Sequence, residues 1–252
     1  MITQIQSGKL IVISDLHLGS PVCRTKRQII QFLNRAANQG YELCINGDGF
    51  EVAQVAFQKL AKDVPDFLRA LKVLGNNGCN VYYVVGNHDI ILENFLDDWG
   101  NIKIAPFLNV ISGGQRIRIE HGHLYDPFLV RYPQLYEFFT RFAGLLLRAS
   151  PWLYKAWIAF QNFSSYHRTK RDQVIHGEPR NFTIAAQELA QRGFDYIIFG
   201  HTHHVNEVDL GDGKRYFNPG SSMLDRSCVE VVNGKVRLLE WDQLCVKAPK
   251  TV

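Results

Sequence analysis

The stretch LIVISDLHLGS, Leu10 to Ser20, decides how the rest of the chain is read. Leu10–Ser14 has the apolar, β-branched character of a buried strand, and it runs straight into Asp15-Leu16-His17. An Asp after a strand often does no more than shape a turn. This one is informative because the arrangement recurs. A second strand is predicted at Tyr41–Ile45, followed by Asn46-Gly47-Asp48, and a third at Asn80–Val85, followed by Gly86-Asn87-His88-Asp89. Further on, Gln115–His121 leads into Gly122-His123, and Tyr196–Phe199 leads into Gly200-His201-Thr202-His203. Each strand end delivers Asp, Asn or His to the carboxyl edge of a sheet, where open α/β proteins bind ligands.

Helices are predicted between the first strands, at Lys26–Gln39, ended by Gly40, and at Phe57–Leu74, stopped by Gly75. Alternating strands and helices give the fold class α/β. From Ile102 the pattern changes to hairpins. Phe107–Ser112 and Gln115–His121 flank Gly113-Gly114, Val205–Leu210 precedes Arg215–Asn218, and Asn233-Gly234 joins Cys228–Val232 to Val236–Trp241. A helix at Asn181–Gln191, closed by Gly193, leads into the Tyr196 strand. Residues 124–180 break the scheme with helical spacing and crowded aromatics, and Ser150-Pro151 marks the expected start of a second helix there. Arg141, Arg148, Pro151 and Lys155 interrupt its apolar runs well short of the ~20 residues a membrane span needs. The segment is therefore expected to be a helical cap inserted in a single domain over residues 1–252.

The bulk numbers set the frame. With 46% hydrophobic and 21% charged residues, the 252-residue chain has the composition of an ordinary globular protein. A net charge of +4 suits an anionic substrate or an anionic membrane surface. It is too small to indicate nucleic acid, and no basic stripe interleaved with aromatics marks a strand-binding groove. Five scattered cysteines read as reduced, mostly buried thiols, and the N-terminal MITQIQSGKLIVIS lacks the basic and apolar regions of a secretion signal. Both point to the cytoplasm.

Seven of the nine histidines lie at or beside the strand ends, with His167 and His176 the exceptions, so the imidazoles are gathered where the carboxylates are. Mixed imidazole and carboxylate donors suit Mn, Fe or Zn better than an all-oxygen Mg or Ca site. D-x-H and H-x-H spacing on extended chain sends alternate side chains to one side, and Gly47, Gly86, Gly122 and Gly200 allow sharp turns and close backbone approach to an anion. Asp15 and His17 are read as metal-holding residues.

In this order, D-x-H, G-D, G-N-H-D, H-G-H and G-H-T-H resemble the calcineurin-like metallophosphoesterase superfamily, over most of the chain from Asp15 to His203. The resemblance implies a four-layer α/β/β/α sandwich with two divalent metals at the carboxyl edge, Mn2+ first, with Fe or Zn as alternatives. Carried over by motif, Asp15, His17, Asp48 and His203 hold the first metal, Asp48 bridges, and Asn87, His121 and His201 complete the second. It further implies in-line attack on phosphorus by a metal-bridged hydroxide. His88 then touches the phosphate or protonates the leaving oxygen, oriented by Asp89, or else the two form a supporting pair behind Asn87. His123 and His204 are not assigned as ligands.

Within the superfamily, ISDLHL at residues 13–18, GDGFE at residues 47–51 and the aromatic insertion at Leu124–Arg171 resemble the UDP-2,3-diacylglucosamine diphosphatase family of lipid A synthesis. That implies a lipid-linked pyrophosphate substrate, acyl chains held by the insertion, and peripheral contact with the inner membrane. Arg168, Lys170 and Arg171 would meet the pyrophosphate or the anionic membrane face. Two features depart from that family: His88 stands where it usually has Arg, and YFNPGSSM at residues 216–223 is closer to other metallophosphoesterases. A phosphomonoesterase or phosphodiesterase with another substrate, and a protein-binding scaffold that lost catalysis, are the alternatives. Packing alone would not gather such a donor set at one edge, which argues against the scaffold. Oligomeric state is left open.

Overall fold

A computed structural model of the protein describes residues 4–20, 23, 25–53, 55, 58, 60–61, 64–95, 98–99, 102–150, 152, 156, 174–175 and 178–245. In chain order the main elements are β1 (Gln4–Gln6), β2 (Lys9–Ile13), α1 (Lys26–Asn38), β3 (Glu42–Asn46), α2 (Pro65–Asn76) and β4 (Val81–Val84). Then come β5 (Asp98–Trp99), β6 (Ile102–Ala105), β7 (Leu108–Ser112), β8 (Gln115–Ile119), α3 (Pro127–Arg131) and α4 (Pro133–Ala149). The chain continues with β9 (Val174–Ile175), β10 (Glu178–Pro179), α5 (Arg180–Gln191), β11 (Tyr196–Ile198), β12 (Val205–Gly211), β13 (Lys214–Pro219), β14 (Ser227–Val232) and β15 (Lys235–Glu240).

Two large sheets form the centre. One runs β15-β14-β2-β3-β4-β6-β5, and the other β1-β7-β8-β11-β13-β12. Within the first, β2, β3, β4 and β6 are parallel, and within the second β8, β11 and β13 are parallel. Period-two side-chain alternation explains how the sheets stack. On β2, Leu10 and Val12 join Cys44, Tyr82 and Val84 in facing Leu108, Val110, Ile117, Ile119, Ile198 and Phe217 across the gap between sheets. Ile11 and Ile13 point the other way, onto Ile29, Phe32, Leu33, Phe67 and Leu71 of α1 and α2. On the far side, Ile197, Phe199 and Tyr216 pack against Phe182, Ala186 and Leu189 of α5. The layers are α/β/β/α, as expected. Because the central strands are buried on both faces, they read as continuous apolar runs.

Some local expectations are corrected. Over the second predicted helix, Gln58, Leu60 and Ala61 are helical, Phe57 lies outside the described residues, and a helix starting at Pro65 runs through buried Gly75 to Asn76. Pro at its first turn gives up no hydrogen bond, because that N–H has no helical partner. The edge strands β1 and β5, and β6 between β4 and β5, are additions to the predicted set. The insertion opens with two helices broken at Tyr132-Pro133, and Ser150 caps the C-terminus of α4. The helix expected after Ser150 lies almost wholly outside the described residues, as do Arg168, Lys170 and Arg171. Among the described residues, no helix is long and apolar enough to cross a membrane. Cys44, Cys79 and Cys228 are buried free thiols, and Cys23 is half-buried and free.

Candidate metal centre and active site

The parallel strands of both sheets end at one edge, and the motif residues meet there. Asp15 and His17 follow β2, Asp48 follows β3, Asn87 and His88 follow β4, His121 follows β8, and His201 and His203 follow β11. The turns that carry them are unusual. Among the described residues, eight non-glycine residues have positive φ, and five are Asp15, His17, Asp48, His201 and His203, between +44° and +66°. Left-handed backbone of this kind persists only where the surroundings over-determine it, and it clusters at functional sites.

What over-determines it is a set of bonds from one turn to the next. Asp15 N donates to Gly47 O (3.2 Å) and His17 N to Asp48 O (2.9 Å). His88 N donates to Asp48 Oδ1 (2.8 Å), and His201 N to Asp15 Oδ2 (3.2 Å). The motif glycines make the room. A methyl group on Gly86 would strike the Asp48 carboxylate and stand 2.5 Å from Asp48 N, and one on Gly200 would strike Ser14 Oγ and stand 2.9 Å from Asp15 Oδ2. At these two positions the freedom expected for a bound anion is used by a neighbouring motif's side chain.

Two groups of donors converge. Asp15, His17 and His203 offer ligand atoms within 4.8 Å of one another, and so do Asp48, His121 and His201. In the first group His203 Nε2 lies 3.0 Å from Asp15 Oδ1 and 3.3 Å from His17 Nε2. In the second, His121 Nε2 lies 3.3 Å from Asp48 Oδ2 and 3.2 Å from Asn87 Oδ1, while His201 Nδ1 lies 2.8 Å from that same oxygen. Ligands around one ion with bonds of about 2.0–2.2 Å stand roughly 3 Å apart, so these separations fit a divalent metal. Hydrogen bonds on the far side of three of the four rings support that fit. His121 Nδ1 donates to Asn46 O (2.9 Å), His17 Nδ1 to Glu51 Oε2 (2.8 Å) and His201 Nε2 to Asp126 Oδ2 (3.2 Å). Each leaves the other nitrogen of a neutral ring as a lone pair aimed at the cluster. A third grouping brings His88 within ligand range of His17 and Asp48, and Asp48 belongs to this grouping as well as to the His121 one.

The electrostatics follow from burying these groups together. Burial works against charge on Asp15, Asp48 and Glu51, but the surrounding imidazoles outweigh it. Asp15 falls to about 2, Glu51 falls to about 2, and Asp48 falls well below the usual carboxylate range. The rings respond in kind. Burial opposes their protonation, yet Asp48 lifts His121 to about 9, while Glu51 and Asp48 together lift His88 to about 10. Carboxylates that draw protons onto these rings would draw a divalent cation in the same way. At His123 the pull of Asp48 is outweighed. Burial and the neighbouring rings of His121 and His201 push it down to about 3, so it sits neutral beneath the site.

The structure brings Asp15, His17, Asp48, Asn87, His88, His121, His201 and His203 to one place, and it reassigns Asp89. That carboxylate accepts from Gly86 N (2.7 Å), Gly49 N (2.8 Å) and the Tyr83 hydroxyl, tying the turns after β3 and β4 together. The His88 ring is oriented instead by Glu51, whose Oε1 accepts from Nδ1 at 2.6 Å. One buried carboxylate thus serves both His17 and His88. Sequence reading passed over Glu51, Asp126 and Tyr136, whose hydroxyl accepts from Asn87 Nδ2 at 2.7 Å. For Asp126 a signal existed, because Asp before Pro marks a capped helix start, and Asp126 does cap α3 by accepting from Phe128 N at 2.9 Å.

The chain is similar to known proteins over most of its length. The profile of the calcineurin-like phosphoesterase family matches residues 8–205. A UDP-2,3-diacylglucosamine hydrolase from Stenotrophomonas maltophilia (strain K279a) is 28% identical over 217 residues, 81% of this chain and 86% of that protein. One from Serratia proteamaculans (strain 568) is 25% identical over 248 residues, 92% of this chain and 98% of that protein. Among solved structures, a conserved uncharacterized protein (predicted phosphoesterase) from Streptococcus pneumoniae TIGR4 aligns over 93% of this chain and 90% of its own, at 18% identity and a TM-score of 0.42.

Proposed function

The chain belongs to the calcineurin-like phosphoesterase family, and from that premise we propose that it hydrolyses a lipid-linked nucleoside pyrophosphate of the UDP-2,3-diacylglucosamine type. Its general chemistry is that of a metal-dependent phosphoesterase. In our reading Asp15, His17, Asp48 and His203 hold one divalent ion, and Asp48, Asn87, His121 and His201 hold the other, with Mn2+ preferred over Fe or Zn. Such a pair supplies a nucleophile at neutral pH and neutralises charge building on the phosphate. With its Nδ1 proton donated to Glu51, His88 would turn Nε2 to the substrate, to bind a phosphoryl oxygen or to pass a proton to the leaving group.

The observation that carries the substrate class is the apolar stripe on α4. Leu135, Phe138, Phe142 and Leu145 are all exposed and recur at helical spacing on one face, while Tyr136 of the same helix reaches Asn87. At about 100° per residue the stripe's centre lies roughly 140° round the helix from Tyr136, so acyl chains from a pyrophosphate at the metals would have to pass over α4 to reach it, with about 0.8 kcal/mol gained per CH2 buried. The relatives, matched over most of their length, favour the same substrate class. We read the insertion as a cap on one domain, and place the enzyme in the cytoplasm at the inner-membrane surface, with Arg168, Lys170 and Arg171 meeting anionic groups there.

The test is UMP release from UDP-2,3-diacylglucosamine by Mn2+-loaded protein, with Asp48→Ala as the blank. Release lost in the blank is the expected result. No release while an aryl phosphate is still hydrolysed would discard the lipid substrate and leave a phosphomonoesterase or phosphodiesterase.

A further inference from the structure

Among the described residues, the inserted segment hydrogen-bonds the candidate metal ligands through two side chains, and both reach the same metal position. Asn87 Nδ2 donates to Tyr136 Oη (2.7 Å), and His201 Nε2 donates to Asp126 Oδ2 (3.2 Å). The other position is held differently. Asp15 and His17 take their side-chain support from Ser14, the His201 amide and Glu51, all outside the insertion.

These two contacts favour one of two orientations that the ligands leave open. A carboxamide turned by 180° exchanges its oxygen for its NH2 group, so Asn87 presents oxygen only if its nitrogen is engaged elsewhere. Tyr136 accepts from it, so the orientation that gives oxygen to a metal is also the one in which Nδ2 keeps a partner. Asn87 Oδ1 then faces His201 Nδ1 at 2.8 Å and His121 Nε2 at 3.2 Å. A neutral imidazole likewise chooses which nitrogen carries the lone pair, and the Asp126 carboxylate, fixed at the start of α3, holds the His201 proton on Nε2.

We propose that Tyr136 and Asp126 are positioning residues that couple the insertion to the Asn87–His121–His201 metal position and leave the Asp15–His17–His203 position untouched. This rests on the two-metal reading above. Any movement of α3 and α4 would then be felt as a change in occupancy at one ion and not the other.

The experiment is Mn2+ binding to the full-length protein, followed by calorimetry and by the EPR signal of the spin-coupled pair. Tyr136→Phe should weaken one binding step by about 10–100-fold, the usual cost of losing a hydrogen-bonding partner behind a metal ligand. The pair signal should fade at Mn2+ levels that saturate the wild type and return at higher levels. Asp126→Asn should act on the same step, with the fold kept because Asn caps a helix as well as Asp. Asn87→Asp supplies the rescue: a carboxylate presents oxygen whichever way it turns, so adding Tyr136→Phe to Asn87→Asp should change Mn2+ affinity less than threefold. Equal weakening of both steps, an unchanged isotherm or absence of rescue would overturn the proposal. A wild type that binds a single ion would overturn the two-metal reading instead.

Discussion

Replacing Glu51 by Gln changes almost no volume but removes one acceptor from a place that needs two. In the native protein the Glu51 carboxylate, 3% exposed, accepts from His17 Nδ1 at 2.8 Å and from His88 Nδ1 at 2.6 Å. A glutamine can accept from one ring only. Its NH2 group must face the other Nδ1, which becomes an acceptor only by moving its proton to Nε2. In His17 that nitrogen is the one 3.3 Å from His203 Nε2, so the tautomer is turned against metal binding. The magnitude comes from the pairing with His88. Burial disfavours the charged ring, yet Glu51 first and Asp48 next raise its pKa from 6.5 to about 10. That shift corresponds to roughly 4–5 kcal/mol of preference for the imidazolium, shared among its carboxylate neighbours. The Glu51 share is therefore about 2–3 kcal/mol, in line with a buried charge-assisted hydrogen bond. A raised histidine pKa contributes stability that is fully present below the unfolded value and is lost as pH rises through the folded one. Urea denaturation of metal-free protein should thus show a wild-type advantage of about 2–3 kcal/mol at pH 6 that shrinks as pH approaches 10, and Mn2+ affinity should fall by about 10–100-fold. Equal stability and equal Mn2+ affinity of the two proteins from pH 6 to 10 would refute the reasoning.

Glu178→Gln should behave in the opposite sense. Burial beneath the Gly200–His203 turn raises Glu178 from 4.5 to about 7, although Thr202 and Asn218 donate to it. The native state then binds more protons than the unfolded chain between those values, so stability falls as pH rises through that window. Gln removes the penalty, and its gain at pH 8 relative to pH 4.5 should reach about 3 kcal/mol by denaturant titration; an identical gain at both pH values would count against it. On the α4 stripe, Phe138→Asp and Leu145→Asp alter side chains 60% and 59% exposed, so stability should move by less than about 0.5 kcal/mol. KM for the diacylated substrate should rise about 10-fold or more with aryl phosphate turnover unchanged, and equal effects on both substrates would remove the stripe from substrate binding.

Much of this was readable in the chain because burial in the sheet dictates both the strand and the polar turn after it. Leu10–Ile13 and Val81–Val84 are apolar on both faces since both faces are covered, and the polar residues begin where the sheet ends. Elements without that double burial were harder to see. β5, at the sheet edge, and β6 beside it have two and four residues, too short for a period to register. The pairing of His88 was misplaced for a related reason. Asp89 is its neighbour in sequence, but consecutive side chains in a turn diverge, and Asp89 is turned to the backbone of the Asp48 loop. Glu51, 37 residues from His88, supplies the carboxylate. Such contacts arise from where two loops cross, and no local pattern encodes them.

The left-handed backbone at five candidate ligands is the other feature the sequence could not announce, and it changes how the site should be perturbed. Each such residue costs on the order of 1 kcal/mol in backbone strain. The turns are held because each uses its neighbour: Asp15 Oδ2 accepts the His201 amide, Asp48 Oδ1 accepts the His88 amide, and the Asp48 carbonyl accepts the His17 amide. A side chain that can hold a metal is therefore also a strut for the turn carrying another. Removing Asp15 takes away a donor atom and at the same time frees the turn bearing His201, which belongs to the other metal position. Effects of paired substitutions across the two positions should depart from additivity, as contacts within one network do. Independence of the two positions is to be sought in the residues that support them from outside this net, Glu51 on one side and Tyr136 with Asp126 on the other.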